Sequence, residues 1–194
     1  MKKLLLLLIV FTSCKKEIYY YPSEDFFKKN NPREINIDDL NFEKITDSIR
    51  NGLYENKFHF LKIEDSKAIY KVSPSAYTGG YVRVRNGLLL RKDSVHLKKG
   101  VSPITELSKG LKSHYENKGK DFFYASSYRF AHVLLVLEMQ EKSKKLKTVL
   151  LNLVKTYNQT EIENKDSISF NIVFDYPIKH PQYIPPPPTE FKNE

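Results

Sequence analysis

The stretch "HVLLVLEM", residues 132–139, decides the fold of this 194-residue chain. Its first residues are apolar on both alternating faces, which is typical of a strand that lies inside a sheet. The preceding residues, "DFFYASSYRFA", fit the helical period as well as the strand period, so residues 121–140 as a whole stay ambiguous between strand and helix. We predict a central strand here, with the other elements arranged around it.

Three further segments carry apolar side chains at helical spacing and therefore predict helices. Asp38 and Asp39 precede the first segment, where negative charge suits a helix start. Ser102 and Pro103 suit the start of the second segment, and Ser143 is a candidate cap for the third. The apolar positions are Phe42, Ile45, Ile49 and Leu53 in the first, Ile104, Leu107, Leu111 and Tyr115 in the second, and Leu146, Val149, Leu150, Leu153, Val154 and Tyr157 in the third.

Short strands are predicted at "KFHFLKIE" (57–64), "KAIYKVS" (67–73) and "SISFNIVFD" (167–175). The segment "YVRVRNGLLLRK", residues 81–92, predicts a hairpin. A three-residue loop at 85–87 aligns its apolar residues on one face, whereas a two-residue loop would mix arginine into that face. We prefer the three-residue loop, which leaves Arg83 and Arg91 on the opposite face as a candidate anion-binding patch.

These elements predict a single α+β domain over residues 38–176, with about three helices and a mostly antiparallel sheet of five to six strands. Beyond it the chain becomes rich in proline, and "IPPPP" at 184–188 favours an extended polyproline II conformation. For this tail, 177–194, three roles stay open: a spacer, a segment lying on the domain, or a ligand for an aromatic groove.

The amino terminus reads "MKKLLLLLIVFTSCKKE". The apolar run from Leu4 to Phe11 is too short for a spanning helix, which needs about 20 residues. Two lysines followed by a short apolar stretch instead predict a secretory signal peptide over residues 1–13.

The four residues Phe11-Thr12-Ser13-Cys14 resemble the lipobox of bacterial lipoproteins, and Cys14 is the only cysteine in the chain. The resemblance implies that Cys14 carries a diacylglyceryl thioether and becomes the first mature residue. Lys15 after this cysteine resembles the sorting of lipoproteins to the outer membrane. The chain is therefore expected in the bacterial cell envelope, anchored to the outer membrane either on its periplasmic face or on the cell surface.

Residues 14–37 are rich in Lys, Asn, Asp and Pro, and predict a tether between the lipid and the domain. Within them, "EIYYYPSEDFF" at 17–27 concentrates aromatic rings close to the expected anchor. Such rings either favour the lipid head-group interface or pack onto the domain.

The formal charge of +9 arises mainly from lysine, which accounts for 26 of the 32 basic residues. It favours anionic neighbours such as lipid head groups, or it reflects a solvated, lysine-coated surface. A nucleic-acid partner is not expected, because an exported protein seldom meets nucleic acid and no nucleic-acid-binding motif is present.

No motif for chemistry was found: the five histidines show no zinc-binding spacing, and neither a nucleophile elbow nor a phosphate loop is present. No cofactor or metal is expected, and catalytic residues are unknown. Asp93-Ser94-Val95 and Asp166-Ser167-Ile168 resemble the Asp-Ser/Thr-aliphatic acceptor motif for O-glycosylation, so Ser94 and Ser167 are candidate acceptors.

Two functions remain in view. The favoured one is a non-enzymatic lipoprotein that binds a protein partner in the envelope, as an assembly component or as an inhibitor or immunity factor. The alternative is a hydrolase of envelope polymers with a site built from distant residues. A binding protein should present an apolar or basic patch, whereas a hydrolase should show a cleft with titratable groups of perturbed pKa.

Overall fold

The computed structural model describes residues 16–78 and 84–177. The predicted signal peptide, Cys14, Arg83 and almost all of the proline-rich tail therefore lie outside the described residues. Within the described ranges, the elements in chain order are β1 (Glu17–Tyr21), α1 (Glu24–Asn30), β2 (Arg33–Glu34), α2 (Phe42–Tyr54), β3 (His59–Glu64), β4 (Ala68–Val72), β5 (Ser75–Ala76), β6 (Gly87–Arg91), β7 (Ser94–Leu97), β8 (Gly100–Pro103), α3 (Leu107–Tyr115), β9 (His132–Val136), α4 (Ser143–Gln159) and β10 (Asn171–Asp175).

The strand β9 lies inside a six-stranded sheet of order β5-β10-β9-β6-β7-β8, so the predicted central strand is confirmed. It runs parallel to both neighbours, and Val133 pairs with Leu88 on one side and Ile172 on the other. These three side chains are buried on the same face. Val133 and Leu135 are buried on one face of β9 and Leu134 is half-buried on the other, so both faces of this strand are at least partly covered.

The sheets are mixed and not mostly antiparallel, which corrects the prediction. The helices α3 and α4 follow β8 and β9 and carry the chain back before β9 and β10 begin. Strands joined by such a crossover run parallel. Only β6, β7 and β8 form an antiparallel meander in this sheet.

A second sheet of four strands, in the order β1-β4-β3-β2, corrects the expected single sheet of five to six strands. The predicted strands β3 and β4 pair antiparallel, and β1 adds to β4 in parallel. Four α-helices lie in the described residues, against about three predicted. The additional elements β1, α1 and β2 all come from residues 14–37, where a tether was predicted.

The first strand joins the domain because its rings find buried partners. Tyr19 stacks on Tyr70 with ring centroids 5.5 Å apart, and Tyr21 packs edge-on against Phe170 at 5.8 Å. The hydroxyl of Tyr21 donates to Asn158 Oδ1 at 2.7 Å. Regular structure packed onto the domain is therefore already present at Glu17, within the predicted tether of residues 14–37 and ahead of the predicted domain boundary at residue 38.

The helices α2, α3 and α4 pack against the two sheets. The helix α3 packs on β6 and β7, α2 packs on β5, and α4 contacts both α3 and β3 of the second sheet. All six predicted apolar positions of α4 are buried, which confirms that stripe. One continuous apolar core consequently joins the two sheets.

Two predicted boundaries differ in the structure. The helix α3 begins at Leu107, because Ser102 and Pro103 belong to β8 and a 3-10 turn, Ile104–Glu106, precedes the helix. Lys142 rather than Ser143 occupies the cap position of α4.

The predicted hairpin turn at residues 85–87 is wrong. Of its residues, 81–83 lie outside the described ranges, Val84–Asn86 forms a 3-10 turn, and Gly87 is already in β6. The antiparallel partner of β6 is β7, joined through Lys92 in the left-handed region with φ of 44°. Gly87 serves close packing, since a Cβ there would lie 3.1 Å from the His132 ring.

Candidate functional site

The carboxyl ends of parallel strands are the usual ligand position in open α/β sheets. Here the ends of β6 and β9 border a hollow of about 350 Å³ that Arg91 and Ser94 both line. Its charges are largely compensated, since Lys92 Nζ lies 3.9 Å from Glu138 and Lys145 Nζ lies 3.0 Å from Asp93. The hollow therefore has the location of a ligand site without a concentrated charge of one sign.

Arg91 is exposed at the rim of this hollow. Because Arg83 lies outside the described residues, the anion-binding patch formed by Arg83 and Arg91 stays a prediction.

The two candidate O-glycosylation sites differ in accessibility. Ser94 is half-buried, and its hydroxyl donates to the Arg91 carbonyl at 3.0 Å within the β6–β7 turn. Ser167 is exposed at the end of a 3-10 turn. Modification of either residue stays a prediction, with Ser167 the more accessible acceptor.

A second hollow, of about 430 Å³ between β2, β3 and α4, brings Glu34, Asp38 and Glu64 to one surface. Asp38 pairs with Lys147 at 2.5 Å, and Glu64 pairs with Lys16 at 3.1 Å. The hydrogen bond from Lys16 lowers the pKa of Glu64. A general acid at neutral pH needs a raised pKa, so Glu64 is unsuited to that role.

Burial raises the pKa of one carboxyl, that of Asp175 at the end of β10. Beside it, the Tyr176 hydroxyl donates to Asp47 at 2.8 Å, and Arg50 Nη1 donates to the same hydroxyl at 3.1 Å. Arg50 also donates to the Tyr77 carbonyl at 3.0 Å. These bonds tie α2 to the ends of β5 and β10, which is a structural role.

In residues 16–78 and 84–177, no three His, Cys, Asp or Glu side chains lie close enough together to hold a metal ion. Within the same ranges, no helix combines the length and the apolar character that crossing a bilayer requires.

The most unusual surface is the segment 117–131 between α3 and β9, which we call the aromatic loop. Phe122 is 82% exposed and Phe130 is 62% exposed, and Phe123 and Tyr128 are exposed as well. Exposure of four large rings within nine residues is costly in water, because each ring carries a large apolar area. A contiguous exposed apolar patch commonly marks a binding surface.

The backbone of this loop is held by the buried side chain of Asn117. Its amide nitrogen donates to the carbonyls of Asp121, Tyr124 and Ala125 at 2.7–3.1 Å, and its oxygen accepts from the Asp121 amide at 2.8 Å. The Asp121 carboxylate in turn accepts from the Phe123 amide at 2.9 Å. The rings are thus displayed outward from an ordered turn.

His114, at the end of α3, supports the same turn from inside. Its Nε2 lies 3.0 Å from the Asn86 carbonyl, and its Nδ1 accepts from the Ala125 amide at 3.4 Å. This pair of bonds fits the neutral ring with the proton on Nε2. Burial lowers the pKa of His114 to about 4, so the ring stays neutral at physiological pH.

Two of the four exposed rings have an arginine guanidinium over them. The guanidinium of Arg85 lies 5.2 Å from the Phe122 centroid, and that of Arg129 lies 6.0 Å from the Tyr128 centroid. Lys98 bonds Asp121 at 2.8 Å. The loop therefore offers aromatic faces and positive charge together.

The aromatic residues near the amino terminus behave differently. Phe26 packs edge-on against Phe58 at 5.2 Å, and Phe27 packs against Phe60 at 5.4 Å. Of the two roles left open for these rings, the structure shows packing onto the domain.

The apolar periodicity of the sequence does not separate the aromatic loop from β9, because residues 121–140 fit the helical and the strand period equally. The signal that marks the loop is its polar and glycine content: "ENKGKD" precedes the rings, and "SS" lies between the first two rings and the last two. Such residues favour turns.

No family model matches this chain, no curated protein is detectably similar to it, and no solved structure matches it.

Proposed function

We propose that this protein is a lipid-anchored, non-enzymatic binding protein of the bacterial envelope, with the aromatic loop as its binding face. The observation that carries the proposal is the exposure of Phe122, Phe123, Tyr128 and Phe130 on one loop, whose first part, residues 121–125, is held in place by buried polar groups. A turn ordered in this way loses little conformational entropy when a partner covers its rings.

The expected anchor supports this role by position. If Cys14 is lipidated, only Lys15 and Lys16 separate it from β1. The distance from Cys14 to the start of β1 is then about 10 Å at full extension. The proposal therefore places the domain directly at the membrane, in agreement with the sequence expectation of an outer-membrane lipoprotein.

The hollow between β2, β3 and α4 gives no support to hydrolysis by a pair of carboxyl groups. In the hollow between β2, β3 and α4, ion pairing with lysine lowers the pKa of Glu64 rather than raising it. A hydrolase that uses a pair of carboxyl groups needs one of them held protonated near neutral pH.

The proposal is tested with single-thiol variants of the mature protein, since lipidation of Cys14 leaves no other thiol. Phe122→Cys and Tyr54→Cys each place one thiol at an exposed position, the second at the end of α2. We expect a maleimide to label Phe122→Cys at least several-fold more slowly in isolated envelopes than in purified protein. Labelling of Tyr54→Cys should be equal in both.

Equal labelling of Phe122→Cys in both preparations would show that the loop is not the binding face. A mature amino terminus without acyl mass would remove the anchor, and hydrolysis of a purified envelope polymer by the protein would establish the enzymatic alternative.

A further inference from the structure

We propose that the aromatic loop binds the head-group region of an anionic bilayer, as a second membrane contact beside the lipid. This inference rests on the proposed function and names the partner of its binding face. The chemistry that carries it is the alternation of exposed rings with basic side chains.

Phenylalanine and tyrosine rings favour the interface between lipid and water, where their apolar faces leave water without entering the bilayer centre. Basic residues near an anionic surface each add roughly 1 kcal/mol of attraction. The loop supplies both groups side by side, as Arg85 over Phe122 and Arg129 over Tyr128 show.

The balance of charge around the rings is positive. Acidic side chains near the loop are each engaged: Asp121 pairs with Lys98 and Glu163 pairs with Lys118. Beyond Lys98 and Lys118, which are engaged in these pairs, the exposed basic residues on the loop and on the neighbouring β7–β8 turn are Lys99, Lys120 and Arg129.

Lys99 and Lys120, which lie outside these two pairs, favour lipid over protein as the partner. The centres of protein interfaces are enriched in aromatic residues and arginine but depleted of lysine. An anionic membrane surface, in contrast, attracts lysine and arginine alike.

The position of the loop in the fold agrees with this partner. The loop leads directly into β9, at the edge where β6, β9 and β10 begin. Pro22, just after β1, lies at the same edge, because its carbonyl accepts from the Phe170 amide at 3.0 Å.

Two contacts of this kind would fix the orientation of the domain on the bilayer, which a single flexible anchor does not. The amino-terminal rings do not serve this purpose, since Tyr21 is buried and Phe26 and Phe27 are packed against β3 and the residue before it.

The test uses a tryptophan reporter, because the natural chain contains no tryptophan. The lipidated mature protein carrying Phe122→Trp is reconstituted into vesicles of phosphatidylcholine with phosphatidylglycerol, and into vesicles of phosphatidylcholine alone. Brominated phosphatidylcholine in both reports contact with lipid. We expect a blue shift and several-fold stronger quenching on the anionic vesicles, reduced by added salt.

Two controls separate this result from the lipid anchor itself. Tyr54→Trp, on the same lipidated protein, should keep the emission of a water-exposed ring on both vesicles. Lys120→Gln in the Phe122→Trp protein should weaken the quenching on anionic vesicles, whereas Lys142→Gln, at the start of α4, should leave it unchanged.

The outcomes are distinct. Protein that does not float with vesicles at all would lack the anchor, which contradicts the proposed function. Protein that floats while Phe122→Trp stays water-exposed would overturn the membrane contact alone. Slow thiol labelling in envelopes together with that result would assign the loop to a protein partner.

Discussion

The chain contains the same three residues twice, Asp25-Phe26-Phe27 and Asp121-Phe122-Phe123, with opposite results. In the first segment both rings lie in α1 and pack against Phe58 and Phe60. In the second, the aspartate closes a turn and Phe122 is left 82% exposed. The local sequence is equal, so the neighbours available across the fold decide whether a ring is buried.

Each segment also has its own backbone anchor. Ser23 caps α1 by accepting from the Phe26 amide at 3.2 Å, which turns the rings of the helix toward β3. Asn117 instead ties the second segment to the end of α3. The first anchor turns the rings onto Phe58 and Phe60, where they are half-buried, and the second displays its rings to solvent.

The largest expected effect lies in the buried region. Tyr21→Ala should lower the free energy of unfolding by about 3–5 kcal/mol, because it removes a core ring and leaves a cavity beside Phe170. Urea denaturation measures the change. Tyr21→Phe, which loses only the bond to Asn158, should cost about 1 kcal/mol. A negligible effect of Tyr21→Ala would restore the tether interpretation of residues 14–37.

The next effect concerns the turn that displays the rings. Asn117→Ala removes four hydrogen bonds of a buried side chain and should cost about 2–4 kcal/mol. Hydrogen exchange at residues 118–130 should accelerate more than elsewhere. Asn171→Ala, which removes a single bond at 3.2 Å, is the matched control and should cost less than about 1 kcal/mol. Unchanged exchange would show that Asn117 does not order the loop.

Acid should weaken the same turn through His114, whose pKa burial lowers from 6.5 to about 4. Between these two values the unfolded state binds more protons than the folded state, so the free energy of unfolding falls as the pH falls. The stability that the neutral His114 ring contributes is fully present above about pH 6.5. Below pH 4, roughly 3 kcal/mol of the free energy of unfolding is lost.

Unfolding measured from pH 7.5 to 4.5 checks this dependence. His114→Gln should flatten it, leaving the smaller contributions of His59 and His132, whose pKa values burial also lowers. An equal dependence in both proteins would exclude His114 as the source.

The smallest effect compares the two Asp-Phe-Phe segments directly. Phe27→Ala should lower the free energy of unfolding by about 1–2 kcal/mol, because the half-buried ring loses its contacts with Tyr20 and Phe60. Phe122→Ala should stay within about 0.5 kcal/mol, as for other exposed positions. Chemical denaturation of the two variants gives both values, and a reversed order would refute the contrast.

Elements with a strong internal pattern were predicted well. The stripe of α4, the apolar face of α2 and the central position of β9 all follow from periodicity within a single segment. The hairpin failed because its prediction placed Gly87 at the end of a three-residue loop, 85–87, whereas Gly87 begins β6 and faces the His132 ring at close range. That contact joins residues 45 positions apart and leaves no local signal.

The candidate site likewise combines features that the local sequence shows with features that depend on distant contacts. The exposed rings and the basic residues are visible in the sequence, but their exposure depends on the bonds from Asn117 and His114. The sequence also placed Arg91 and Ser94 near a strand end, without indicating that β9 ends beside them.

The sequence by itself determined the helices α2 and α4 and the central strand β9, because apolar periodicity acts within a few turns of chain. It also predicts a lipid anchor, from fourteen residues at the amino terminus. Only the tertiary structure decided that β1 joins the domain and that the second Asp-Phe-Phe segment stays exposed. Burial of a ring requires a partner surface, and distant parts of the chain supply that surface only after folding.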